Sequence, residues 1–120
     1  MRDGADFHLY TTSRPDPAAA WGLAEEIVAA NSDWQDRDPA LYDQGNALVL
    51  CSRRTGQGRT SDLFQITRSD PAVAFTGVPV AIGELNSDAW EGDPWMSEAG
   101  RHIVFVSDRT GTPRIYEAWR

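Results

Sequence analysis

The stretch Asp93-Pro94-Trp95-Met96-Ser97-Glu98-Ala99-Gly100, continued by Ile103-Val104-Phe105-Val106-Ser107-Asp108-Arg109-Thr110-Gly111, decides how this chain is read. It holds a short extended segment, a turn whose glycine suits positive φ, an apolar run and a second glycine turn. The same signals stand 55 residues earlier, as Asp38-Pro39, Leu41, Gly45, Leu48-Val49-Leu50-Cys51-Ser52 and Arg54-Thr55-Gly56. Asn31-Ser32-Asp33 and Asn86-Ser87-Asp88 head the two copies at that same shift. So many matches, in order and at one spacing, identify an internal repeat.

Further out the spacing changes slightly. After Gly56 the first copy carries three extra residues, so Leu63-Phe64 matches Ile115-Tyr116 and Arg68 matches Arg120 at a shift of 52. Leu9-Tyr10, Arg14, Pro17 and Trp21 match Leu63-Phe64, Arg68, Pro71 and Phe75 at a shift of 54. The chain therefore divides into residues 1–30, the outer half of a preceding unit; residues 31–85, a complete unit; and residues 86–120, a unit lacking its last strand.

Each unit reads as β. In the complete copy residues 38–42 are extended, and Asp43-Gln44-Gly45 turns. Residues 47–51 form an apolar strand expected to be buried on both faces, and Val104 in the second copy is expected to be equally deep. Residues 52–61 are a polar loop with Gly56 and Gly58, and residues 62–67 alternate as a strand. Residues 75–82 form the last segment, confined to an edge because Pro79 cannot donate to a ladder. Residues 15–30 have helical propensity, and Asp16-Pro17 is shaped like a helix start. Their counterpart, residues 69–85, carries Gly77, Pro79 and Gly83 and is a poor helix. Extended structure is expected at 15–30, with a short helix as the alternative. Four short strands per unit is the composition of a propeller blade.

The pattern Asp-Pro, short strand, acidic-x-Gly, apolar strand and Ser-x-Arg-x-Gly resembles the TolB-like, WD-repeat-like β-propeller repeat of bacterial cell-envelope proteins. The resemblance covers residues 31–120 and extends to 6–30. The first copy departs from it at Tyr42, where the family has serine, and at Arg53, where it has aspartate. The fold this implies is all-β, a partial β-propeller of about two to two-and-a-half four-stranded antiparallel blades. It also implies a periplasmic or cell-envelope setting, a protein partner, and no catalytic set to carry over. A closed propeller of about four to eight blades needs more chain. The chain is therefore expected to be a fragment of a larger propeller, its remaining blades coming from a longer parent or from self-association.

Composition narrows the partners. The 120 residues carry a net charge of −7, which argues against nucleic acid and against anionic membranes. Met1-Arg2-Asp3-Gly4-Ala5-Asp6 lacks the apolar core of a signal peptide. No apolar stretch approaches the ~18 residues of a membrane helix, so no membrane insertion is expected. Cys51 is the single cysteine, has no internal disulfide partner, and is expected to be a buried, inert thiol.

The sequence holds no recognisable catalytic motif. His8 and His102 have no ligand or nucleophile spacing, and no nucleophile elbow or phosphate loop is present, so no enzyme is expected. Ser107-Asp108-Arg109-Thr110-Gly111 is similar to the Asp-box turn of sialidases, but Arg109 stands where its central aspartate would be. Trp34, Asp36, Asp38, Trp90, Glu91, Asp93 and Trp95 gather in and beside the loops before strands and form a candidate binding rim for a protein partner. No cofactor or metal site is expected; calcium is the ion that converging carboxylates there would suit. Aromatics beside carboxylates also suit sugars, so the alternative is a carbohydrate-binding or glycosidase-type propeller, or the propeller part of a larger hydrolase. Gly45, Arg54, Gly56, Gly100, Arg109 and Gly111 are assigned to structural turns, the two arginines bonding a nearby carboxylate or carbonyl. Trp119 is expected to face solvent or a missing neighbour.

Overall fold

The computed structural model describes residues 7–55 and 60–120. The turn assigned to Gly56, the loop glycine Gly58 and residues 1–6 lie outside them. The chain is all-β, built as three small antiparallel sheets, none of which closes on itself. The first sheet pairs β1 (Tyr10–Thr11) with β2 (Glu25–Glu26). The second runs β3 (Asp36–Tyr42), β4 (Ala47–Ser52), β5 (Asp62–Thr67) and β6 (Val80–Ala81), in that order. The third runs β7 (Glu91–Met96), β8 (His102–Ser107) and β9 (Arg114–Trp119).

Residues 15–30 form no helix. Asp16 caps a single turn, its Oδ1 accepting from the Ala18 and Ala19 amides at 2.9 and 3.1 Å. The chain then returns as β2 because tertiary partners hold it extended: Ile27 donates its N–H to Leu9 O at 2.9 Å. Pro79 lies just before β6, the edge strand of its sheet, where a missing N–H costs nothing.

The sheets pack face to face, and β4 sits in the middle of the stack. Every residue of β4 is buried. Ala47, Val49 and Cys51 join Met96, Ile103 and Phe105 of the third sheet in one apolar cluster. Leu48 and Leu50 join Leu9, Ala30, Phe64, Ile66 and Phe75 in the other. The alternation of a strand puts these two sets on opposite faces. The apolar run of β8 behaves differently from the sequence expectation. Ile103 and Phe105 are buried, but Val104 and Val106 are only half-buried, because nothing described covers their face.

The turn glycines are used as their backbones require. Gly45, Gly100 and Gly111 have φ of 85°, 67° and 97°, a region costly for residues with a Cβ. At Gly100 space is short too: a Cβ would stand 3.0 Å from Tyr42 Cε2. Gly100→Val is expected to lower stability by about 1–3 kcal/mol, read by thermal melting; an unchanged melt would contradict the left-handed turn. Val49→Asp is expected to abolish folding and Val104→Asp to leave a folded, weakened protein. Circular dichroism of the pair separates the doubly buried strand from the singly buried one.

Candidate functional site

Two equivalent polar knots fix the first strand of the second and third sheets. Asp36 opens β3 and Glu91 opens β7, and both side chains are fully buried. Asp36 accepts from the Ser32 amide at 2.6 Å and from Arg54 Nη2 at 2.8 Å. Glu91 accepts from the Ser87 amide at 3.0 Å, from Ser107 Oγ at 2.9 Å and from Arg109 Nη2 at 3.2 Å. Each arginine also donates to a backbone carbonyl one turn before its knot, Arg54 to Ala30 at 2.5 Å and Arg109 to Leu85 at 2.6 Å. Both guanidinium groups lie over rings, Phe64 for Arg54 and Tyr116 for Arg109, at 5.0 and 4.9 Å. The carboxylates sit at the foot of strands whose amides reach the preceding sheet: Asp36 N donates to Phe7 O, and Glu91 N to Ser61 O. The structure thus places Asp36 and Glu91 inside, with Arg54 and Arg109 as their counter-charges, away from any ligand arriving at the surface.

Asp38 and Asp93 occupy the bulge of β3 and of β7, where the ladder register shifts. Both have left-handed φ, 54° and 48°, a conformation aspartate tolerates better than most residues. They approach across the sheet interface, the Asp93 amide lying 3.4 Å from Asp38 Oδ2. Cys51 donates its thiol to the same oxygen at 3.0 Å. Burial and then that carboxylate push the Cys51 pKa well above its ordinary value, so the thiol is inert. Partial burial, and next the Asp38 charge, raise the Asp93 pKa. Among the described residues no three His, Cys, Asp or Glu side chains converge as a metal group.

The aromatic members separate. Trp34 and Trp90 are half-buried. The Trp90 ring covers Gly92, where a Cβ would collide with it. Trp95 instead projects from the uncovered face of the third sheet, 51 % exposed. There it meets His102 edge-on with centroids 5.7 Å apart, and His102 stacks on Trp119 at 3.6 Å and 5°. Glu117 Oε2 lies 2.8 Å from His102 Nε2. This cluster was missed by motif reading, which took the residues singly. The signal was available in the internal matches: Trp95, His102 and Trp119 stand where the earlier copy has Ala40, Ala47 and Thr67. Small residues there let the third sheet sit on the second; bulky ones crown the open face.

No model of a known protein family matches the chain, and no curated protein matches it in sequence.

Arg54→Met is expected to cost about 3–5 kcal/mol, because it strands a buried carboxylate; a chemical denaturation curve measures it. Asp93 gives the fold a pH dependence. Its folded pKa lies above the unfolded value near 3.8, so its protonated form favours folding. That contribution is complete below the unfolded pKa and is lost as pH rises through the folded pKa. Asp93→Asn, which keeps a left-handed φ accessible, is expected to raise Tm at neutral pH. The gain should fade in acid, as Tm measured across a pH series would show.

Proposed function

We propose that this chain is a non-catalytic segment of a β-propeller, its sheets being successive blades, and that it binds a protein through the uncovered face of the third sheet. The recurrence at a shift of 55 residues and the two matching knots support the blade reading. The non-catalytic reading is supported by where the carboxylates go: Asp36 and Glu91 are spent on buried ion pairs.

The observation that carries the binding reading is the aromatic face. Trp95, Ile115 and Trp119 are 51 %, 77 % and 71 % exposed and lie on the uncovered side of one sheet. Contiguous exposed apolar surface of this kind marks an interaction site. A single binding pocket of catalytic geometry is not needed for it. A carbohydrate ligand is the second reading, favoured by the flat His102–Trp119 stack beside the Glu117 carboxylate.

A glycan array probed with the wild type and with Trp95→Ala and Trp119→Ala decides between them. The protein reading expects no glycan signal and a cross-linked protein partner whose recovery falls in both variants. Reproducible glycan binding lost in both variants would establish the second reading in its place.

A further inference from the structure

Leu63 and Leu9 each offer a backbone site to an asparagine. In β5, Leu63 N–H donates to Asn86 Oδ1 at 2.7 Å, and Leu63 O accepts from Asn86 Nδ2 at 3.0 Å and from Ile82 N at 2.9 Å. Just before β1, Leu9 makes the same set with Asn31, at 2.7 and 3.1 Å, and with Ile27 N at 2.9 Å. In β9 the corresponding residue is Ile115, which stands opposite Val106 as Leu63 stands opposite Cys51. Ladder alternation therefore turns the Ile115 N–H and C=O away from β8. No described residue meets them, and the Ile115 side chain is 77 % exposed where Leu63 is fully buried.

We propose that β9 of one copy takes the place of β1 in a second copy, so that Asn31 of the second copy clamps the Ile115 backbone of the first. This deepens the protein-binding reading by naming the partner as a second copy of this chain. It does not require the joined sheets to close.

Three observations select that occupant. The segments are alike, Ile115-Tyr116 in β9 standing for Leu9-Tyr10 at the start of β1. The charges agree: Arg114 takes the position of His8, whose Nδ1 lies 2.7 Å from Glu26 Oε1, so the exchange sets a permanent cation against that carboxylate. The volumes agree as well. Beside β1 the second sheet borders an open cleft lined by Pro39, Leu41, Leu48 and Phe75, with Leu41 55 % exposed. Met96, the residue corresponding to Leu41, is buried against Ala40 and Ala47. In the exchanged pair Leu41 would meet Trp95 and His102, large groups entering an underfilled space. The displaced element is a weak one, since β1 holds two ladder pairs with β2 whereas β9 brings six with β8 already formed.

Light scattering during gel filtration should give a discrete multiple of 13.3 kDa for the wild type and a monomer for Ile115→Pro, which removes the outward N–H without touching the β8 ladder. Side chains at the positions of Leu63 and Ile82 share one apolar cluster, so cysteines at 115 and 27 should meet across the exchange. In a Cys51→Ala background, mixing Ile115→Cys protein with Ile27→Cys protein should give a mixed disulfide between the two chains. A wild type that is monomeric at every concentration, or an oligomer that forms no mixed disulfide, overturns the proposal. Should Ile115→Pro fail to fold, the disulfide decides alone. A monomer that binds another protein through Trp119 sinks the exchange and leaves the protein-binding reading standing. Glycan binding by a disulfide-competent assembly does the reverse.

Discussion

The buried carboxylate at the start of the first strand of the second and third sheets is the constraint on which the sheet stack depends. An ionised Asp36 or Glu91 in the interior would be costly without counter-charge and donors. Meeting that need draws together residues far apart in sequence: Ser32, Arg54 and the Ala30 carbonyl in one case, Ser87, Ser107, Arg109 and the Leu85 carbonyl in the other. Each knot ties a loop, a strand start and a hairpin end at one point. The apolar clusters then fill the space whose outline the knots have set.

The same economy explains why the acidic loops hold little chemistry at the surface. A carboxylate bound by a guanidinium and a serine is a structural anchor, already saturated. Exposed apolar and aromatic side chains stand on the outer sides of the stack among the described residues, Trp95, Ile115 and Trp119 on the third sheet and Tyr10 and Trp21 on the segment of the first. Asp38 and Asp93 are intermediate: close enough to perturb one another, yet held by left-handed backbone in strand bulges, and contributing to the junction of two sheets.

A second set of contacts closes the outer corner of each unit. Arg68 donates to Gly45 O at 2.9 Å and lies over Phe75 at 4.2 Å; Arg120 donates to Gly100 O at 2.7 Å; Arg14 lies over Trp21 at 4.3 Å. These arginines were visible in the sequence as landmarks at matching positions, but their partners were not. An arginine has five donors and a long stem, and spacing along the chain does not say which carbonyl it will reach.

The sequence by itself determined the order of the strands, the positive-φ glycines at 45 and 100, and the pairing of positions between copies, although of residues 75–82 only Val80–Ala81 forms a strand. Those follow from local rules: apolar alternation, turn chemistry and recurrence at one spacing. It also allowed residues 15–30 to be read as extended rather than helical, because their counterpart could not be helical; no helix forms, though only Glu25–Glu26 pair as a strand. Tertiary structure decided the rest. Burial turned Asp36 and Glu91 from rim candidates into internal anchors, because their depth depends on what packs over them. The absence of a described neighbour left Val104 half-covered although it matches Val49 of the core strand β4. The ring contacts of Trp95, His102 and Trp119 arose from three strands meeting on one face, a proximity that only the ladder register creates.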